Sequence, residues 1–153
     1  MAPLIRSPNR PDTERDLAAM LSNDDRLQII ELGARYARAV DDDDIDSWLA
    51  TWAPDGELTA RFGSAKGTAD LRALETRLQA GFSKGRRHVV VNTTVDGDRD
   101  EATATSYLII FEREHMPSVI ATAVYYDTLR KTDGHWKYLK RDLRNDPNGN
   151  PAQ

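Results

Sequence analysis

The stretch RYARAVDDDDIDSW, residues 35–48, decides how the first helix ends and how the next one begins. Its four consecutive aspartates stand where the negative end of a helix dipole disfavours acids. Asp44 occupies the position of an N-cap, and Asp46 falls in the first turn of the second helix, where negative charge is favourable. The two aspartates before Asp44 are predicted to lie in the connecting turn. Asp41 alone has no such structural role.

Asp41 stands at the end of the first predicted helix, where its charge costs up to about 1 kcal/mol. It is either one more solvated surface acid or an inward-pointing acid that needs a buried partner. A calcium-binding loop is excluded, because the sixth position counted from Asp41 is Asp46 instead of glycine and the twelfth is Trp52 instead of glutamate. The residues around Asp41 leave both interpretations open.

Helical patterns lie on both sides of this stretch. Asn23 or Asp24 is the predicted N-cap of the long first helix, whose apolar residues recur at helical spacing and form a wide buried face. Shorter helices are predicted over residues 13–21 and 45–52, and a further one, with leucines in register, over residues 68–82. A turn is predicted between the second of these helices and the first strand.

Strand patterns dominate the second half of the chain. Strands are predicted over residues 57–62, 88–95, 102–112, 119–130 and 136–143, most of them separated by glycine- or proline-containing turn signals. Helices followed by a long antiparallel meander predict an α+β fold, in which the helices cover one face of a curved sheet.

The chain is predicted to form one domain over residues 13–145, with a loose N-terminal arm over residues 1–12 and a polar tail over residues 146–153. The net charge of −4 argues against nucleic acid as a partner. The absence of cysteine excludes disulfides and thiolate metal sites, and no histidine cluster favours a metal. No apolar run predicts a membrane span or a secretory signal, so a cytoplasmic protein is the default expectation.

The strand that begins at His88 has a polar even-numbered face and an apolar odd-numbered face. The polar face either meets solvent or lines a cavity in which His88 and Asn92 act. The apolar face favours a homo-oligomer, a dimer or trimer, although covering helices explain it equally well. The other histidines, His115 and His135, fall in predicted reversals and are expected to be exposed.

Six short motifs follow one another between Asp24 and Arg144. They are Tyr36-x4-Asp41, Asp44-x3-Trp48, Pro54-Asp55-Gly56, Arg87-His88-x3-Asn92, Tyr125-x-Asp127 and Gly134-x-Trp136-x4-Arg141. In order and spacing they resemble the SnoaL-like branch of the nuclear-transport-factor-2-like superfamily. The resemblance implies a cone: a strongly bent, mostly antiparallel sheet wrapped around the N-terminal helices, with a deep pocket at one end.

Members similar at these positions include scytalone dehydratase, a bile-acid dehydratase and hexachlorocyclohexane dehydrochlorinase. The resemblance implies that His88 is a general base, that Asp41 orients it and that Tyr36 is an acid or hydrogen-bond donor. It implies a cofactor-independent lyase, of the dehydratase or retro-aldol type, or an isomerase acting on a hydrophobic aromatic or polycyclic small molecule. The alternative is a non-catalytic ligand-binding module or an assembly subunit like the small subunit of ring-hydroxylating oxygenases.

These residue types suit proton transfer, because an imidazole titrates near neutral pH and a carboxylate on one ring nitrogen fixes its tautomer. Each candidate also has a structural interpretation. Tyr36 is otherwise a core tyrosine, and Arg141 is otherwise a partner of Asp127. The candidate substrate-binding residues, for which core packing or strand structure is the alternative, are Arg141, Asn92, Trp52, Tyr107 and Tyr125; Trp48 and Phe62 are further candidates for an aromatic pocket wall.

Overall fold

The computed structural model describes residues 20–114 and 118–147. The helices in this part are α1 (Asn23–Asp41), α2 (Ile45–Leu49) and α3 (Gly67–Gly81). The strands are β1 (Trp52–Ala60), β2 (Gly63–Lys66), β3 (Arg86–Gly97), β4 (Glu101–Glu112), β5 (Val119–Thr132) and β6 (His135–Asn145). The predicted arm, nearly all of the helix predicted over residues 13–21, most of the predicted tail and His115 lie outside the described residues.

The six strands form one curved, unclosed sheet in the order β2-β1-β6-β5-β4-β3. Strand β1 runs parallel to β6, and every other pair is antiparallel. Helix α1 packs against β3 and β6, and α3 packs against β1, so the helices cover one face. The predicted α+β fold with a curved, mostly antiparallel sheet around N-terminal helices is confirmed. No helix in the described ranges is long and apolar enough to cross a membrane.

The aspartate run ends α1 by a left-handed turn. Asp43 has a φ of 56°, and the N–H of Asp44 donates to the carbonyl of Ala39 at 2.9 Å, which caps the last turn of the helix. The carboxylate of Asp44 then accepts the N–H of Ser47 at 2.9 Å, as predicted for the N-cap of α2. This double turn leaves Asp41 as the last residue of α1.

The N-cap of α1 is Ser22, and the prediction of one of the next two residues is wrong. Ser22 and Asp25 form a reciprocal capping box. The buried Asp25 carboxylate also accepts from Nζ of Lys131 at 2.7 Å and from Nε1 of Trp136 at 2.9 Å. The Lys131 hydrogen bond, followed by that of Ser22, holds the pKa of Asp25 well below its usual range. Asp25 thus ties the start of α1 to the β5–β6 hairpin.

The turn predicted at Ala53-Pro54-Asp55-Gly56 is an irregularity inside β1. Strand β1 begins at Trp52, three residues after the end of α2, and its register against β6 shifts between Trp52 and Glu57. A Cβ on Gly56 would lie 2.9 Å from the carbonyl oxygen of Ala53, so only glycine allows this close approach of the backbone. The prediction that α2 continues to Trp52 is therefore wrong.

We expect Asp25→Asn to lower the free energy of unfolding by about 1.5–3 kcal/mol, because it weakens buried hydrogen bonds to a charged acceptor. Asp24→Asn is the matched control: Asp24 bonds Gln28 on the exposed side of the same helix turn, and its loss should cost less than about 1 kcal/mol. Urea unfolding measures both values. Equal effects of the two substitutions would contradict the structural role of Asp25.

The pH dependence of the unfolding free energy tests the role of Asp25 a second time. Because the folded-state pKa of Asp25 is depressed, its stabilising effect is present above the ordinary carboxyl pKa and is lost as pH falls through the folded-state value. The difference in unfolding free energy between wild type and Asp25→Asn should therefore be constant near neutrality and shrink in acid.

Candidate active site

Asp41 and His88 form a buried hydrogen-bonded pair between the end of α1 and the start of β3. Oδ1 of Asp41 lies 2.8 Å from Nδ1 of His88 and accepts the backbone N–H of the same residue at 3.0 Å. Nε of Arg87 lies 3.2 Å from the other carboxylate oxygen. The side chains of His88 and Asp41 are 9% and 6% exposed, respectively. Asp41 therefore points inward, and the surface-acid interpretation is wrong.

A β-bulge decides which residues of β3 face the helices. His88 and Val90 face inward, and Val90 packs beside Gly33 of α1. Between Val91 and Thr94 the register against β4 shifts, and Asn92 takes a φ of 52°, a left-handed conformation that asparagine tolerates. The extra residue changes which positions face inward, so Asn92 is exposed. The prediction that Asn92 binds substrate is corrected, whereas His88 lines a cavity.

A cavity of about 40 Å³ lies between α1, α3 and the sheet. Its wall is mostly apolar, and the polar side chains that line it are Tyr36, Glu75, Ser83, His88 and Tyr125. Two lining side chains, Phe62 and Phe82, are 37% and 40% exposed, and their ring centroids lie 6.4 Å apart. The cavity therefore meets solvent beside these two rings.

Tyr36 forms part of the cavity wall at the centre of an aromatic cluster. Its ring centroid lies 5.7–6.1 Å from those of Trp48, Trp52, Tyr125 and Tyr138. Burial raises the pKa of the Tyr36 hydroxyl above its ordinary value, so the phenol stays neutral and can donate a proton or a hydrogen bond. Of the other predicted aromatics, Tyr125 lines the cavity, whereas Trp52 packs behind it.

Arg141 is buried in the core behind the cavity. Its Nε and Nη2 each lie 2.7 Å from one oxygen of Asp127, a bidentate pair in which both side chains are at most 2% exposed. Its guanidinium lies 3.8–4.2 Å from the ring centroids of Tyr36, Tyr125 and Tyr138. Arg141 therefore pairs with Asp127, which was the structural alternative to substrate binding. Its guanidinium packs against the tyrosine rings beside the cavity.

Tyr107 lies on the opposite face of the sheet from the helices. The strand alternates, with Ser106 and Leu108 buried and Tyr107 52% exposed. Its side chain cannot reach the cavity, so the prediction that it binds substrate is corrected. Tyr126 is also exposed, and homo-oligomerisation through an apolar outer face stays a prediction.

Glu75 is an ionisable residue of the cavity wall that was not predicted from the sequence. It lies on α3, is 2% exposed and lines the cavity together with His88. Its Oε1 accepts from Nε2 of Gln79 at 3.2 Å. A signal was present in the sequence, because Glu75 continues the buried stripe of Leu71, Leu74 and Leu78 at helical spacing. Burial raises the pKa of the Glu75 carboxyl to about 7.

A larger hollow of about 720 Å³ lies beside α1, α2 and the β5–β6 turn. Charged side chains, among them Arg35, Arg38, Asp42, Asp44 and Lys137, line it. None of the predicted site residues lies in its wall. The smaller cavity is the candidate active site, because the His88 imidazole and Tyr36 line it.

The pair can act as a directed base. A carboxylate only accepts hydrogen bonds, so Nδ1 of neutral His88 carries the proton that it shares with Asp41. Nε2 then holds the free lone pair, and His88 lines the cavity. Asp41 also stabilises the imidazolium that forms when Nε2 takes a proton. Tyr36 and Val40 line the cavity one helical turn apart, whereas Asp41 lies beyond them and holds His88 from outside the wall.

Comparison with known proteins identifies one matching family. The sequence profile of the SnoaL-like domain matches residues 22–142. No curated protein matches the sequence.

Solved structures share the fold over most of the chain. A cystatin-like-fold protein of unknown function from Nostoc punctiforme is 37% identical, with a TM-score of 0.81 over 86% of this chain and 97% of that one. A nuclear-transport-factor-2-like protein from Novosphingobium aromaticivorans is 28% identical, with a TM-score of 0.72 over 82% and 84% of the two chains. A protein of that organism provisionally described as a scytalone dehydratase is 24% identical, with a TM-score of 0.69 over 79% and 83%.

We expect Asp127→Asn to lower the free energy of unfolding by about 3–5 kcal/mol, because it leaves the buried guanidinium of Arg141 without its counter-charge. Asp142→Asn is the control: it breaks the more exposed Arg144–Asp142 pair on β6, the strand that carries Arg141, and should cost less than about 1 kcal/mol. Thermal unfolding compares the two. A stable Asp127→Asn protein with weakened ligand binding would return Arg141 to the list of substrate-binding residues.

Proposed function

The chain belongs to the SnoaL-like domain family, and on this premise we propose that it is a cofactor-independent lyase or isomerase acting on a hydrophobic small molecule. The observation that supports the proposal is the largely buried Asp41–His88 pair at a small, mostly apolar cavity. His88 is the general base, Asp41 orients it, and Tyr36 is the hydrogen-bond donor.

The proposed reaction begins with removal of a proton from a carbon next to a carbonyl or aromatic ring. Nε2 of His88 accepts this proton, and Asp41 stabilises the imidazolium through Nδ1. Negative charge then develops on the carbonyl oxygen of the substrate, where the neutral Tyr36 hydroxyl can donate a hydrogen bond. Positioned proton transfer of this kind accelerates a reaction by about 10²–10⁴.

The cavity wall favours an apolar, ring-shaped substrate. Leucine, isoleucine and aromatic side chains make up most of the lining. A volume of about 40 Å³ holds only the reacting part of such a molecule, since small-molecule sites usually measure about 300–1,000 Å³. A bicyclic substrate therefore requires the exposed rings of Phe62 and Phe82 to move apart and cover it.

A non-catalytic ligand-binding or assembly subunit is the alternative function. Such a protein has no need for an imidazole held in one orientation inside a cavity. Taking Asp41 and His88 out of water costs free energy, and an apolar pair of similar size would fill the same space at lower cost. The buried pair therefore favours the enzyme.

We expect His88→Ala to lose at least about two orders of magnitude in turnover while remaining folded, because it removes the base. One assay follows deuterium uptake from heavy water at the carbon next to the carbonyl of α-tetralone. A second follows loss of water from the derivative that carries a hydroxyl on the carbon β to the carbonyl. His135→Ala is the matched control, because His135 is exposed and does not line the cavity.

Wild-type protein and His135→Ala should catalyse both reactions at similar rates. Near-wild-type turnover by His88→Ala would remove the proposed base. Absence of both reactions in the wild type, together with tight binding of the ketones, would favour the ligand-binding alternative.

A further inference from the structure

The cavity holds a second ionisable group, on the wall formed by α3. Glu75 is 2% exposed, although a buried ionised carboxyl without a cation is strongly unfavourable. In the described part of the chain its side chain has one hydrogen bond, from the Gln79 amide at 3.2 Å, and no salt bridge. Replacing Glu75 by leucine would continue the apolar stripe of α3, so packing alone does not require an acid at this position.

The polar groups around Glu75 include no cation as long as His88 is neutral. Tyr36 on α1, His88 on β3 and Tyr125 on β5 line the same cavity, and Asp43, in the turn after α1, places a negative charge near Glu75. Neutral phenols do not offset the charge of a carboxylate, and the charge of Asp43 opposes it. Burial, and to a smaller extent Asp43, raises the pKa of Glu75 to about 7. A large fraction of Glu75 therefore carries a proton at neutral pH, and general acids work best when their pKa lies near the working pH.

Glu75 and His88 approach the same small space from different elements of the fold. One lies on α3 and the other on β3, and the cavity between them has room for about one or two water molecules. Two polar groups around so small a volume can both contact neighbouring atoms of one substrate. An elimination needs a base that removes a proton from one carbon and an acid that protonates the leaving group on the adjacent carbon. An isomerisation or a simple proton exchange needs only the base and a hydrogen-bond donor to the carbonyl oxygen.

We propose that Glu75 is the general acid of the same site and that the substrate is a β-hydroxy carbonyl compound from which water is eliminated. The inference rests on the proposed function and narrows it from lyase or isomerase to dehydratase. Tyr36 keeps its role as donor to the carbonyl oxygen, and Glu75 serves the leaving hydroxyl.

The step balances within the cavity. Nε2 of His88 takes the proton from the carbon next to the carbonyl, and the electrons of that C–H bond form the new C=C bond. The C–O bond on the adjacent carbon breaks, and its oxygen takes the proton of Glu75 and leaves as water. His88 is then an imidazolium and Glu75 a carboxylate, and one proton transferred from His88 to Glu75 through the released water restores both groups.

Glu75→Gln tests the inference, because the amide is similar in size but cannot deliver a proton. We expect water loss from the β-hydroxy derivative of α-tetralone to fall by at least about 100-fold, while deuterium uptake into α-tetralone stays within about threefold of wild type. Asp70→Asn, at an exposed acid in the first turn of the same helix, should change neither rate. Circular dichroism and thermal unfolding establish that both variants are folded.

The pH profile separates an acid from a residue that only shapes the cavity. In the wild type, water loss should decline as pH rises through about 7, because Glu75 loses its proton, whereas deuterium uptake should not decline there. In Glu75→Gln, the residual water loss should show no such decline. A structural role would lower both reactions and leave the shapes of their profiles unchanged.

Each other outcome overturns a defined part of the account. If Glu75→Gln lowers water loss and deuterium uptake equally, or lowers neither, Glu75 is not the acid. If the wild type exchanges deuterium through His88 but never eliminates water, the proposed base stands and the dehydratase assignment fails. If the wild type does neither, the proposed function itself fails.

Discussion

The site depends on the hydrogen bonds between Asp41 and His88, near the start of β3. A single carboxylate accepts both the backbone N–H and the Nδ1–H of His88, so it fixes the position of the strand and the orientation of the ring at once. This works only because α1 stops at Asp41 and the chain turns away through Asp43 in a left-handed conformation. The aspartate run thus resolves into one acid for the site, a turn, and a cap for α2.

A second buried pair, Arg141 and Asp127, supports the aromatic residues around the cavity. Arg141 and Asp127 neutralise each other in the core and support three tyrosine rings, among them Tyr36. Such a buried pair adds little net stability compared with apolar packing, but removal of either partner is strongly destabilising. The tyrosine rings are thus packed in the core, whereas Phe62 and Phe82 are exposed lining side chains that have room to move.

Most of the fold and half of the site could be predicted from the sequence. Helical spacing and strand patterns identified α1, α3 and five of the six strands, β1 only in its second half, because long periodic segments report burial directly. The bulges could not be predicted from the sequence. The register shift at Asn92 reverses the alternation of inward and outward residues in β3, and the close backbone approach at Gly56 places a predicted turn inside β1. The burial of Glu75 could have been predicted, since its spacing places it among buried leucines. An acid between leucines is, however, easily taken for a surface residue.

The proposed mechanism requires that Asp41 holds neutral His88 in the tautomer that leaves Nε2 free for the substrate. Nitrogen NMR of the imidazole rings, with His88 assigned from a His88→Gln variant, tests it without any knowledge of the substrate. We expect Nδ1 of His88 to be protonated and Nε2 not, in contrast to the exposed His135, which should average both tautomers. A His88 ring that averages in the same way, or that carries its proton on Nε2, would show that Asp41 does not set the tautomer.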